Sequence, residues 1–451
     1  MLIRKAENKI EQWAMNPKRA LLVSGARQVG KTFSIRNVLK RLNIEYVEIN
    51  LIFNPELIGI LDRSYSAHDL AVNLSLATGK KIIPGKTYIF IDEIQQYRDV
   101  VTKIKLWVDD GSFKFIMSGS LLGVELNALR SAPVGYLDEL IMFPLDFEEF
   151  LWASSVPADV IEEMRTCFNS RTPVSDYIHG KMMELFRRYL VVGGMPSPVQ
   201  EYVESGDMNA VTEIQRNIIS QYKRDFTKYE LENKKLIIVS IYNSIPSQLL
   251  KQNRRFCYTD VKKGLRFEQA ESSFLWLTNA GVAIPVYNAT EPKVSLSQSK
   301  KSSLLKLYCS DIGLLTCLYG DAAKLKILTA DNSLNCGGIF ENAVAQELHA
   351  HGYDLYFFNS HKIGELDFVM EHDGNVLPME IKSGKDYYVH SAISNVATNS
   401  EYKIPEAIVL GNCNIRCEGS ITYMPVYFSM FFTEHVALPV LSSDGYTFLS
   451  D

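Results

Sequence analysis

Gly25-Ala26-Arg27-Gln28-Val29-Gly30-Lys31-Thr32 is the stretch on which the reading of this chain turns. It fits G-x-x-x-x-G-K-[ST] in full, the Walker A or P-loop pattern. The apolar run at 20–23 before it reads as a short buried strand, and the residues after it read as a helix. In that context the residue types have separate tasks. The glycines permit a tight path whose backbone N–H groups face phosphates, and the helix N-terminus favours negative charge. Lys31 would reach the β- and γ-phosphates, and the Thr32 hydroxyl would hold Mg²⁺. Gly25, Ala26, Arg27, Gln28, Val29, Gly30, Lys31, Thr32 and Phe33 are therefore the expected cofactor-binding residues, with ATP and Mg²⁺ as cofactors.

A second stretch supports the first. Tyr88-Ile89-Phe90-Ile91-Asp92-Glu93 is an apolar strand ending in two acids. Asp92 is expected to steady the hydrated Mg²⁺, and Glu93 to polarise the attacking water, which favours hydrolysis over binding alone. The next strand, 113–117, ends in Ser118-Gly119-Ser120. A polar side chain there would sense the γ-phosphate; Ser118 is the first choice and Ser120 the second. Arg27 and Arg130 are candidates for an arginine at the transition state. With a further strand at 46–49 and a helix at 100–109, strands alternate with helices, the pattern of a parallel sheet with crossover helices.

The 451 residues suggest several domains. Net charge is −5, but residues 223–266 hold eleven Lys and Arg against four Asp and Glu, a local +7 that leaves −12 for the rest. Lys223, Arg224, Lys251, Arg254, Arg255, Lys262, Lys263 and Arg266 make up most of that basic segment. Seven scattered cysteines suggest no disulfide framework, and Cys413 and Cys417 form no zinc pattern. The charged N-terminus lacks a signal-peptide core, and no apolar run reaches the ~20 residues needed to span a bilayer. A cytoplasmic location is expected.

Further along, 147–229 reads as helical, broken by Val-Val-Gly-Gly-Met-Pro-Ser-Pro at 191–198. Residues 258–286 give short helix, helix, then strand, the order of a winged helix, with 291–303 as its wing. A helix at 340–350 then precedes strands at 355–358, 365–370 and 376–382. The hairpin signal His372-Asp373-Gly374-Asn375 joins the last two. The expected fold class is α/β. A P-loop NTPase parallel sheet occupies 1–146, a helical lid 147–230, a winged-helix-like domain 231–315 and a restriction-endonuclease-like α/β domain 316–451.

GARQVGKT, YIFIDEIQ, FIMSGS, IMFPLDFEEFL (141–151) and YLVVGGMP (189–196) resemble the bacterial and archaeal ATPases of the AAA+ superfamily that carry a C-terminal domain of unknown function. IPSQLLKQN (245–253) and KLYCSDIGLL (306–315) resemble that C-terminal region. The resemblance covers nearly the whole chain. It implies an ATPase core, a winged-helix-like middle and a restriction-endonuclease-like end. The family's usual Gly-Arg pair is Gly135-Tyr136 here, so no arginine role transfers to that place.

Asp367 in GELDFV and Glu380-Ile381-Lys382 in MEIKSG resemble a PD-(D/E)xK nuclease site. Asp367 and Glu380 would share a divalent metal, Mg²⁺ or Mn²⁺, with Glu341 as a further ligand. Lys382, two residues after Glu380, faces the same side of the strand and would orient water. The neighbouring histidines, His351 among them, carry no assigned role. The partners expected are ATP, duplex DNA contacted by the basic segment, and further copies of the chain in a homo-oligomer, with no membrane. Two functions stay open: an ATP-driven enzyme that binds or processes DNA, and a nucleotide-gated switch or scaffold whose nuclease-like end is inactive and binds a protein or nucleic acid.

Overall fold

Short apolar runs build the first sheet. The computed structural model describes residues 2–97, 99–120, 135–226, 232–331, 333–384, 386–388, 390–433, 441–442 and 445–446. Its first five strands are β1 (Ala20–Ser24), β2 (Tyr46–Asn50), β3 (Tyr88–Asp92), β4 (Lys114–Ser118) and β5 (Leu137–Ile141). Their order is β2-β3-β4-β1-β5, parallel throughout. Helices cover both faces of such a sheet, so its inner strands are apolar on both sides; β1 is buried at all five positions. Four strands are the ones the sequence predicts. The edge strand β5 reads Leu-Asp-Glu-Leu-Ile, and its two acids hide it from a hydrophobicity reading.

Helices α1 (Lys5–Met15) and α2 (Lys31–Arg41) pack on one face through Ile10, Trp13, Ile35 and Leu39. On the other face lie α3 (Leu57–Arg63), α4 (Ala67–Thr78) and α5 (Val100–Val108). Helices α6 (Phe147–Ala153), α7 (Ala158–Ser170), α8 (Asp176–Val192), α9 (Pro196–Ser205) and α10 (Met208–Phe226) form the expected helical region. Asp146 and Glu149 make a capping box at the start of α6, which explains the acids of the Leu-Asp-Phe-Glu-Glu-Phe run. Between α8 and α9 the chain turns at Gly193, whose φ is +77°. Gly194 follows, so close to Leu145 that a Cβ would lie 2.0 Å from its carbonyl oxygen.

Beyond it come α11 (Glu232–Leu249), the single turn α12 (Tyr258–Val261) and α13 (Phe267–Asn279). The hairpin β6 (Ala283–Ala289) and β7 (Lys300–Cys309) follows. Next are α14 (Ile312–Tyr319), α15 (Asp321–Leu328), α16 (Gly337–Ala350), β8 (Tyr356–Ser360), β9 (Gly364–His372), β10 (Asn375–Ile381), α17 (Ser391–Ala397), β11 (Ala407–Gly411), β12 (Arg416–Glu418) and β13 (Ile421–Pro425). The eight strands β6–β13 form one sheet, in the order β12-β13-β11-β10-β9-β8-β6-β7.

Helix, helix and hairpin thus follow in the expected winged-helix order. However, β6 also pairs in parallel with β8, so the sheet runs across the expected 315/316 boundary. The reason is that β6 is largely buried on both faces and hydrogen-bonds along both edges, to β7 and to β8. The expected wing is tied down as well: Leu296 is fully buried, and its N–H donates to Glu371 at 2.7 Å. A continuous apolar core joins the α1/α2 face of the first sheet, the helical region and one face of the second sheet.

Candidate functional site

The P-loop joins β1 to α2, as its sequence demands. Gly25 has φ +137°, and a Cβ there would lie 2.1 Å from the Met142 carbonyl oxygen. Gly30 begins α2 at φ +96°, and no side chain caps that helix, which leaves its N–H groups for an anion. Lys31 is buried and donates to the carbonyls of Gly25 at 3.0 Å and Ala26 at 2.7 Å. Burial pushes its ammonium down to about 8.

Parallel pairing sets the tips of β1, β3 and β4 side by side, and the acids meet the loop there. The Thr32 hydroxyl donates to Asp92, with both carboxylate oxygens 3.1 Å away. Asn50, at the end of β2, donates to Asp92 at 3.0 Å, a contact the sequence reading misses although a polar strand tip marks it. Hydroxyl and carboxylate oxygens suit Mg²⁺. Ser118, expected at the γ-phosphate, is fully buried and donates to Asp92 instead. The strand ends at Ser118, and the chain turns at Gly119. Ser120 is the hydroxyl that lines the cavity. That cavity, about 1260 Å³, also exposes Arg4, Arg27, Lys31, Thr32, Phe33 and Glu93.

Glu93 is left-handed at φ +60°, and its carboxylate accepts from Gln95. Arg27 donates to Ser120 Oγ at 3.2 Å and pairs with Asp225 of α10 at 2.5 Å. The other arginine candidate, Arg130, lies outside the described residues.

Arg4, which no motif flags, reaches into the same site. Its buried guanidinium donates to the carbonyls of Val29 at 2.8 Å and Phe143 at 2.7 Å, and to Glu149 at 3.2 Å. Its neighbour Lys5 pairs with Asp146 and Glu148, each at 2.6 Å. Asp146 in turn lies 3.3 Å from His351 Nε2, and Glu347 accepts the Phe147 N–H at 3.0 Å. His351, given no role by the sequence, is therefore part of a buried charge network between α1, α6 and α16. Asp146, Glu347 and His351 are, among the described residues, the one group of three such side chains with ligand atoms within 4.8 Å of one another. The Lys5 ammonium already supplies the positive charge there.

Residues 17–151 match the AAA domain family. The chain is an ATPase. Two further matches fall on families described as domains of unknown function, DUF8612 over residues 183–325 and DUF4143 over residues 336–428. No curated protein matches. Among solved structures, the ATPase is similar to the Walker-type ATPase PABY2304 of Pyrococcus abyssi. Identity is 14%, over 71% of this chain and 96% of that one, with a TM-score of 0.44. It is also similar to C. elegans PCH-2 at 12% identity, over 48% of this chain and 65% of that one, with a TM-score of 0.26. No described helix of the ATPase is long and apolar enough to cross a membrane.

The second expected site assembles differently from the expectation. Antiparallel pairing of β9 with β10 brings Asp367 and Glu380 to one end of the sheet, beside Glu341 on α16. The three acids do not converge on a common point within 4.8 Å. Cations stand among them instead. Lys306, fully buried on β7, lies 3.1 Å from Glu365, 3.6 Å from Asp367 and 3.9 Å from Glu341. Arg254 pairs with Glu341 and lies 3.7 Å from Asp367. Lys382 donates to Glu380 at 2.9 Å, and Ile381 N–H donates to Asp367 at 2.8 Å.

Burial raises the Glu341 carboxyl, with Asp367 adding to the rise. Burial also opposes the charge on Asp367, but Lys306 and Arg254 hold it below the usual range. A divalent ion at Asp367 would sit against an ammonium and a guanidinium, so this donor set does not fit a second metal. Two of the arginines expected on DNA, Arg254 and Arg255, are half-buried and paired with carboxylates of the fold; Arg255 pairs with Glu365 at 2.9 Å. Lys262, Lys263 and Arg266 are exposed.

Proposed function

We propose that ATP turnover at Lys31, Thr32, Asp92 and Glu93 sets the posture of the lid and of the C-terminal half, which engages duplex DNA through its remaining basic surface. The observation that carries this reading is the chain of buried polar contacts from Val29 through Arg4 and Glu149 to Asp146 and His351. It ties the P-loop backbone to α16, the helix that also carries Glu341. A nucleotide that moves the P-loop strains this chain, so the ATP state reaches the far half of the molecule.

Of the two expectations for that half, the nucleotide-gated binding scaffold has the stronger support. Arg254 beside Glu341, and Lys306 beside Asp367, weigh against a divalent metal among these acids and so support binding over metal-dependent cutting. Exposed Lys262, Lys263 and Arg266, beside α12 and α13, support phosphate-backbone contacts. A cytoplasmic location and a homo-oligomer belong to the same proposal; free cysteines support the first.

Filter binding of duplex DNA by the full chain with ATP, a slowly hydrolysed analogue, ADP or no nucleotide tests the reading. Affinity should depend on nucleotide and fall in the Lys262→Glu/Lys263→Glu variant, and no strand should be cut in Mg²⁺ or Mn²⁺. Nucleotide-independent affinity sinks the coupling. Cleavage that vanishes in Asp367→Ala sinks the scaffold reading.

A further inference from the structure

Five polar side chains run in an unbroken line from Glu93 to the lid. Gln95 Nε2 donates to Glu93 Oε2 and, at 3.3 Å, to Ser120 Oγ. Ser120 Oγ also accepts from Arg27 Nε at 3.2 Å. Arg27 Nη1 then pairs with Asp225 Oδ2 at 2.5 Å. Asp225 sits one turn along α10 from Tyr222, whose hydroxyl donates to the Arg27 carbonyl at 3.0 Å. Gln28 is bonded to Gln221 on the same helix. The lid helix therefore grips the P-loop by its backbone and by the Arg27 guanidinium. Arg27, Glu93 and Ser120 all face the nucleotide cavity.

Each link has a consequence for the chemistry. A carboxylate oxygen that accepts a hydrogen bond from an amide is one oxygen fewer to take the water's proton. Gln95 is buried and Glu93 half-buried, so the bond between them is partly shielded from solvent. Glu93 holds a left-handed backbone that a non-glycine residue adopts only when its surroundings impose it. Arg27 is the cation of the set, a quarter exposed and facing the cavity. A γ-phosphate at the P-loop carries more negative charge than one carboxylate and takes a guanidinium in a bidentate grip.

We propose that this line is a relay that holds Glu93 off its water until the γ-phosphate draws Arg27 away from Asp225. Gln95, Ser120, Arg27 and Asp225 are then positioning residues that tie catalytic competence to the seating of α10. When Arg27 leaves, the Ser120 hydroxyl loses one donor and takes Gln95 Nε2 fully. With Ser120 no longer tied to α10 through Arg27, the Gln95 side chain bonded to it can swing off Glu93, and Glu93 turns to the water. ADP, without a γ-phosphate, leaves Arg27 on Asp225. The relay rests on Glu93 as the hydrolytic acid.

The test is steady-state ATP hydrolysis by the full chain, with ATP and ADP affinities and a melting curve for each variant. Gln95→Leu cuts the relay next to Glu93 at nearly constant volume. It should raise kcat by roughly three- to tenfold with KM within about twofold of the parent, because only a restraint on the chemical step is removed. An unchanged or lowered kcat overturns the relay. Asp225→Asn reads it from the other end and serves if Gln95→Leu does not fold. It should tighten ATP by roughly three- to tenfold and leave ADP unchanged, because the freed guanidinium finds only the γ-phosphate. An equal change for both nucleotides overturns the relay. Glu93→Gln separates the two levels. Turnover that survives it removes the hydrolytic-acid reading, whereas loss of turnover there with no gain in Gln95→Leu removes the relay alone.

Discussion

The Thr32 hydroxyl lies 3.1 Å from each carboxylate oxygen of Asp92, although Thr32 belongs to the first turn of α2 and Asp92 to the tip of β3. Asp92 also accepts from Ser118 and Asn50, so the Thr32–Asp92 pair proposed to hold magnesium is set before nucleotide arrives. Asp92→Asn keeps the shape and removes the charge. It should lower kcat by roughly a hundredfold or more, in line with electrostatic stabilisation of a transition state. Nucleotide binding without Mg²⁺ should survive. Rates measured across a Mg²⁺ series check this, and an unchanged profile would reject the assignment.

Lys31 sets a pH dependence for nucleotide affinity. Burial lowers its ammonium to about 8 in the free protein, while the triphosphate needs it charged. Below pH 8 the charge is already in place. Above pH 8 a proton must be taken up on binding, so affinity should weaken by about tenfold per pH unit until the pKa of the complex is reached. Calorimetry from pH 6.5 to 9.5 in buffers of different ionisation heat should show that uptake. Lys31→Ala should abolish binding at every pH, and retained ATPase activity in that variant would disprove the loop's role.

Lys306 predicts an unusual sensitivity far from the ATP site. Its ammonium is fully buried among Glu365, Asp367 and Glu341. Replacing it with methionine leaves three carboxylates to Arg254 and Arg255 alone and should cost about 3–5 kcal/mol of stability. Denaturant unfolding followed by circular dichroism measures the loss. In the nucleotide-free parent, an Mn²⁺ titration read by electron paramagnetic resonance should find no site that Asp367→Asn removes. Such a site would restore the metal reading.

Gly194→Ala should destabilise the junction between the ATPase core and the lid. The new Cβ would meet the Leu145 backbone at 2.0 Å, and the Gly194 N–H is already held by Asp311 at 2.6 Å. Neither partner is the flexible end of a side chain free to swing aside. A loss of about 1–3 kcal/mol or more is expected from overpacking of this kind. Thermal melting would reveal it, and a parent-like midpoint would show that the backbone gives way.

The contact also explains two runs that the sequence shows without a reason. Val-Val-Gly-Gly-Met-Pro and Ser-Asp-Ile-Gly-Leu-Leu meet because Asp311 caps α14 at Leu314 and accepts from Gly194. Gly313 packs against Gly193 with no room for a side chain on either.

What the sequence determines by itself is what neighbours along the chain can build. Gly25–Thr32 form a phosphate loop because one strand, one turn and one helix supply every group it needs. Asp92 and Glu93 are legible because a strand must end, and its end in a parallel sheet points at that loop. Asp367 and Glu380 are legible because a Asp-Gly hairpin folds their strands together. The tertiary structure decides what each charge meets. Arg4 enters the ATP site from the start of α1, His351 joins it to the end of α16, and Lys306 and Arg254 stand beside Asp367 and Glu341. A sum of charges along residues 223–266 counts Arg254 and Arg255 as surface for DNA. The fold makes them counter-ions of Glu341 and Glu365, because a carboxylate taken out of water requires a partner and only the packed chain selects which one.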